Sequence, residues 1–196
     1  MKMNWSIYTS YPSHVFGFHG CDATVGEAIL GGKTTHLEPS QNDYDWLGHG
    51  IYFWEANPAR ALAFAEERAL GGKNSKGKIK HPFVLGAIID LGKCLNLLDS
   101  HALQELQDAY QILQATESVL PSNGKAKLLR KLDCAVIQAL HTSRHELQEP
   151  TYQTVRGVFT EGAEVYPGAG FNDRDHIQIC VRDLSCIKGY FRPIHD

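Results

Sequence analysis

The chain has 196 residues, of which 43% are hydrophobic and 21% charged, and a formal net charge of −3. That length suffices for one domain with a core of useful size, and the balance is ordinary for a globular protein. The acidic sign removes any global electrostatic case for nucleic-acid binding, which would need a local patch instead.

Val15 to His19 reads as a short buried strand that ends at Gly20. Asp22 is placed to cap a helix carrying Val25 and Ile29 on one face, with Gly31-Gly32 as its stop. Lys33 to Gly48 is a polar loop, and His49 to Glu55 the second strand. Asn57-Pro58 supplies a capping side chain followed by Pro in the first helical position, opening an Ala-rich helix over Pro58 to Leu70. Lys73 to Lys80 is a loop holding four lysines, a solvated segment unless the target is a nucleic acid. Pro82 to Leu91 then reads as a buried strand.

Ser100 is expected to cap a helix with Leu103, Leu106, Tyr110 and Leu113 at helical spacing. After Pro121-Ser122-Asn123-Gly124, a second helix places Leu128, Leu129, Leu132, Val136 and Leu140 on one face, completing an αα-hairpin between strands. The chain returns to β at Thr154 to Thr160, His176 to Arg182 and Cys186 to Phe191. Strands at both ends and helices in the middle give an α+β class. A single domain over 1–196 is expected, with a helical insert at about 95–150.

Five scattered cysteines, odd in number and never spaced as Cys-x-x-Cys, argue against a disulfide framework and a zinc site, and for a reducing compartment. Met1 to His14 lacks the apolar stretch of a signal peptide, and the run Phe83 to Leu91 is too short to span a bilayer. A cytoplasmic protein without membrane contact is expected. Several motifs fail. Gly26 to Thr34 imitates a phosphate loop, but its first glycine is one position early and its Gly-Lys-Thr ends a helix. Gly168-Ala169-Gly170 lacks the third glycine of a dinucleotide fingerprint. His141 and His145 have metal-ligand spacing but no third ligand in view, so no metal is expected.

Three segments remain: Phe18-His19-Gly20-Cys21, Gly48-His49-Gly50-Ile51-Tyr52-Phe53 and His176-Ile177-Gln178-Ile179-Cys180-Val181. Read alone, the first is a strand end with a partly exposed histidine. In the second, alternation puts Tyr52 and Trp54 on one face, as core aromatics or as a stacking surface for a flat heterocycle. In the third, His176, Gln178 and Cys180 share a face. Together they resemble the signature of the poly(ADP-ribose) polymerase-like ADP-ribosyltransferases, over about residues 14–91 and 154–193.

That resemblance implies an ADP-ribosyltransferase-like fold with two packed β-sheets forming a NAD cleft. It implies that His19 bonds a ribose hydroxyl, that the backbone of Gly20 meets the nicotinamide carboxamide, and that Tyr52 stacks on the ring with Phe64 as the second aromatic. Gln178 falls where the family often carries glutamate, and His176 two positions upstream where related transferases choose their target. A glutamine keeps a hydrogen bond but supplies no negative charge. Transfer of a single ADP-ribose unit to protein, RNA or DNA is therefore the expectation. NAD glycohydrolase activity and a silent NAD- or ADP-ribose-binding sensor stand as alternatives. Small transferases of this kind include bacterial toxins and defence enzymes, so the hairpin is where target choice or a neutralising antitoxin partner is expected. Glu55 is read as an exposed carboxylate, a structural partner of Arg60 or a reserve acid-base group. Arg156, Arg174 and Arg182 are read as surface ion pairs or phosphate contacts, and Glu161 as a further carboxylate to test.

Overall fold

The computed structural model describes residues 14–71, 79–124 and 129–194. Most of the lysine loop at 73–80, the amino-terminal segment before His14, and Leu128 lie outside them.

The strands are β1 (His14–Asp22), β2 (Ile51–Glu55), β3 (Pro82–Asp90), β4 (Cys94–Asn96), β5 (Thr154–Phe159), β6 (His176–Val181) and β7 (Ile187–Phe191). The helices are α1 (Ala23–Leu30), α2 (Pro58–Ala69), α3 (Ser100–Thr116) and α4 (Lys131–Glu146). The architecture is mixed α+β, with one seven-stranded sheet in the order β4-β5-β6-β2-β1-β3-β7. Two separate sheets were expected, and the continuous ladder corrects that. The reason is a narrow seam: β1 and β2 pair only at Gly17–Glu55 and Phe18–Trp54, whereas β1 pairs with β3 along its whole length. The halves β4-β5-β6-β2 and β1-β3-β7 are thus joined by two residue pairs, and beyond Phe18 the strands of the seam part.

Side-chain alternation sorts the core into two faces. On one, Ile51, Phe53, Ile179 and Val181 pack with Leu85, Ala87, Ile89 and Ile187, so both halves share one apolar cluster. On the other, α3 and α4 bring Ala102, Ala109, Val136, Ile137 and Leu140 against Leu95, Val155, Phe159 and Cys180. The same face carries α2 over the seam, where Ala61 meets Trp54 and Val84, with Phe18 and Phe64 alongside. The hairpin is the crossover between the parallel pair β4 and β5, so it belongs to the core of its half.

The caps follow local chemistry. Asp22 accepts from the Thr24 amide and Asn57 from the Arg60 amide, as their sequence positions suggested. Asp99, rather than Ser100, caps α3 by accepting from His101. The α4 helix starts at Lys131, leaving Leu129 outside it and 44% exposed, while Val136 and Leu140 are buried as expected and Leu132 packs half-buried beside them. In α1 the buried positions are Gly26 and Ile29, and Val25 is exposed, because Phe83 lies flat against Gly26. Among the described residues, no helix is long and apolar enough to cross a membrane.

Candidate functional site

The parting of β1 from β2 exposes what the ladder would otherwise use. His19 fills the step after the last backbone pair: its Nδ1 lies 2.8 Å from the Tyr52 carbonyl oxygen. A carbonyl only accepts, so Nδ1 carries the proton and Nε2 is left as an acceptor. Burial lowers the His19 pKa from its ordinary value of 6.5, which keeps the ring neutral at physiological pH. The ring also meets the edge of Phe53, 5.9 Å away, which fixes its plane. The side chain therefore offers one oriented acceptor, suited to a hydroxyl.

Gly20 follows, paired with Val84 of β3. A Cβ at this position would stand 2.1 Å from the Ala61 carbonyl oxygen and 3.3 Å from the Ala65 methyl. The glycine is thus required by the approach of α2, quite apart from any ligand.

Tyr52 points to the opposite face of β2 from Phe53. Its hydroxyl accepts from the Leu47 amide at 2.9 Å and donates to the Gly48 carbonyl at 2.8 Å, so it ties down the turn before the strand. Burial raises its pKa well above the ordinary tyrosine value, and the phenol stays neutral. Phe64, on α2, faces Trp54 at a centroid distance of 5.0 Å, with the Arg68 guanidinium 5.1 Å from its ring. Phe64 thus packs on Trp54, while the resemblance sets it opposite Tyr52 with a nicotinamide ring between them.

On β6 the three residues expected to share a face do so. Gln178 lies opposite Trp54 on one side and Gly157 on the other. Its Oε1 accepts from the Trp46 indole at 2.7 Å. His176 is enclosed: its side chain is 2% exposed, its ring stacks on Phe159 at 5.6 Å, and its Nδ1 meets the Arg174 carbonyl at 2.6 Å. Burial dominates the lowering of its pKa, so it too is neutral. Any contact of His176 with a macromolecule would have to run through its neighbours.

Those neighbours form a polar cluster beneath α2. Arg60 pairs with Glu161, whose carboxylate is 4.0 Å from His176, and its guanidinium lies 5.8 Å from the Trp54 ring. Trp54 Nε1, Arg60 Nε and Nη1, and His176 Nε2 are all buried and find no hydrogen-bond partner among the described residues. Glu55, read as a partner of Arg60, instead makes a bidentate pair with Arg156 at 2.5 and 2.9 Å. The register of β5 against β6 brings that arginine over the sheet to Glu55, while the loop after β5 delivers Glu161 to Arg60. Arg174 pairs with Glu67 at 2.9 Å, and Arg182 donates to the His49 carbonyl and to Gln138. All three arginines considered for phosphate contacts thus have protein partners.

The structure gathers Phe64, Trp54, His176 and Gln178 on one face, ties His19 to the Tyr52 carbonyl at the seam with its ring against Phe53, and sets Gly20 under α2. Surface hollows among the described residues lie elsewhere. An open cleft of about 530 Å³ is bordered by Gln138, His141, Tyr152, Gln153 and Arg182. An apolar groove of about 300 Å³ runs along α3 and α4 between Leu106, Tyr110, Leu132 and Val136. Among the described residues, no group of three or more His, Cys, Asp or Glu side chains could hold a metal. His141 instead gives its Nδ1 proton to the Ile137 carbonyl, one helical turn back.

Trp46 was not visible as a site residue in the sequence. The loop from Lys33 to Gly48 is polar in composition, yet Leu37, Trp46 and Leu47 are buried anchors within it. A Trp-Leu pair directly before Gly-His-Gly was the available signal. No protein-family model matches the chain, and no curated protein matches it.

Proposed function

We propose that the protein is a mono-ADP-ribosyltransferase that moves ADP-ribose from NAD to a macromolecular target. The observation that carries this reading is His19: a neutral, oriented acceptor next to Gly20, at the point where β1 and β2 part. A dinucleotide lying there would give a ribose hydroxyl proton to Nε2 and set its nicotinamide carboxamide against the Gly20 backbone. Tyr52, its hydroxyl committed to Leu47 and Gly48, serves as a surface and not as an acid. Trp54 continues that face of β2, and Phe64 of α2 packs on Trp54. Gln178 bonds the ribose next to the bond that breaks.

In the reaction the glycosidic C1′–N bond breaks and its electron pair leaves with nicotinamide. A nucleophilic oxygen or nitrogen of the target then bonds C1′ and releases its proton to solvent. No covalent enzyme intermediate is needed, and positioning and field carry the rate. The resemblance extends the proposal to a toxin or defence role, with the α3–α4 hairpin as the place a neutralising partner would dock.

One observation favours a second reading. Gln178 is a neutral amide held by Trp46, and Glu161 is already paired with Arg60, so neither supplies free negative charge to a cationic sugar. A sensor that binds NAD or ADP-ribose without cleaving it fits that balance. Incubation with NAD labelled in its adenosine half, in the presence of protein, RNA and DNA extracts, separates the readings. Label on a macromolecule supports transfer, and free nicotinamide with free ADP-ribose supports glycohydrolase activity. Retained intact NAD supports the sensor, and no interaction with NAD defeats all three.

A further inference from the structure

Gln178 has an orientation that its chemistry alone does not determine. The two ends of a carboxamide differ, one oxygen accepting and one NH2 donating, and rotation exchanges them. The Trp46 indole N–H is a donor only, and it stands 2.7 Å from the amide of Gln178. The facing atom must therefore be Oε1, and the group left for Gln178 to offer is Nε2–H2.

The indole is itself firmly seated. Trp46 is 8% exposed. Its six-membered ring lies across Gly157, the ladder neighbour of Gln178, where a Cβ would come within 2.9 Å of it. Phe159 meets its edge at 5.1 Å, and the Arg130 guanidinium covers both rings at 4.9 and 4.3 Å. Gly157 makes the room, and the loop before β2 fills it with the one aromatic side chain that carries a lone donor.

We propose that Trp46 is a positioning residue that locks the Gln178 carboxamide, so that position 178 donates to an acceptor oxygen of the ligand. The recognition half of this proposal rests on the NAD reading. The two ends of the site then have opposite polarity. His19 accepts from a hydroxyl, and Gln178 gives a hydrogen bond to a ribose or carboxamide oxygen. A ligand that fits both ends is held in one direction only. A glutamate at this position would accept through either oxygen and would need no lock.

The test is a double-mutant cycle read by NAD affinity, together with the NMR signal of the Trp46 indole N–H in ¹⁵N-labelled protein. Gln178→Met should shift that signal and speed its exchange with solvent, while Gln178→Glu should leave it protected. Trp46→Phe should weaken NAD binding about tenfold, the scale of one oriented hydrogen bond. Gly157→Ala retains the tryptophan but displaces its ring, and should do the same. In the Gln178→Glu background both changes should cost less than about twofold, because a carboxylate has no orientation to lose. Equal losses in the two backgrounds would overturn the positioning role, since a packing defect acts on either. An indole signal indifferent to Gln178→Met would overturn the lock itself. Wild-type protein that binds no NAD would overturn the recognition half and the NAD reading together, and the indole signal would still judge the lock.

Discussion

The His19 end and the Gln178 end of the candidate site orient a neutral side chain by different means. His19 is set by a backbone carbonyl on the adjacent strand, 33 residues away in sequence. Gln178 is set by the side chain of Trp46, 132 residues away, which arrives on a loop and rests on a glycine. Strand pairing dictates the first bond, because a ladder that opens leaves a carbonyl where the next side chain can reach it. The second needs a particular residue in a particular loop, and substitution there has no backbone substitute to fall back on. The orientation of His19 should therefore survive side-chain substitutions around it that would release Gln178.

The largest effect is expected where the His19 end depends on packing. Gly20→Ala places a methyl against a backbone oxygen of α2, a contact no rotamer can relieve. Overpacking of this kind should cost about 3 kcal/mol, the upper part of the usual range, read as a lowered denaturation midpoint. Loss of less than about 1 kcal/mol would mean that α2 moves freely over the seam.

Next comes Gln178→Ala. It removes the ligand contact and also leaves the Trp46 donor unpaired, so stability should fall by about 1–3 kcal/mol and NAD turnover by about tenfold to a hundredfold. Gln178→Glu retains an acceptor for Trp46, so it should keep its melting temperature and hold or raise NAD cleavage. A variant with Ala at this position that is as stable as wild type would show that the indole bond contributes nothing to the fold.

His19→Ala should be milder for the fold, because only the Tyr52 carbonyl loses a partner. About 1 kcal/mol is expected, with a larger relative loss in NAD affinity. The same end should sense acid. The folded-state pKa of His19 is depressed below 6.5, so NAD affinity should hold above that pH and fall as the solution is acidified through the lowered pKa. His141 and His176 are likewise buried neutral, with His141 lowered to about 4. The unfolded chain takes up these protons more readily, so stability should be intact above about 6.5 and decline toward pH 4. Gln178 has no proton to gain, and a pH profile of NAD binding unchanged by His19→Ala would break the contrast between the ends. The smallest effect belongs to Arg174→Ala, whose pair with Glu67 is 47% and 43% exposed. It should change stability by less than about 0.5 kcal/mol, and a tenfold loss of NAD affinity would make it a ligand contact.

The same contrast explains what the sequence disclosed. Asp22, Asn57-Pro58 and the alternation of Ile51, Tyr52, Phe53 and Trp54 act over a few residues, and each is found as read. Strand β1 and the grouping of His176 with Gln178 on one face were legible for the same reason. Pairings that depend on register between distant strands were not. Glu55 finds Arg156 because β5 and β2 flank β6, and Arg60 finds Glu161 because a loop returns beneath α2. Phe64 turns to Trp54, which helical spacing alone could not decide between two aromatics on one strand face. The split of the strands into two sheets was overstated, since a seam of two residue pairs has no signature in composition or periodicity.

The central claim is that one NAD molecule engages both ends at once. Calorimetric titration of NAD into wild type, His19→Ala, Gln178→Ala and the double variant tests it directly. The account predicts one site in the wild type, a weaker dissociation constant in each single variant, and a further loss when both are combined. Undiminished NAD binding in the double variant, with its fold intact, would contradict it.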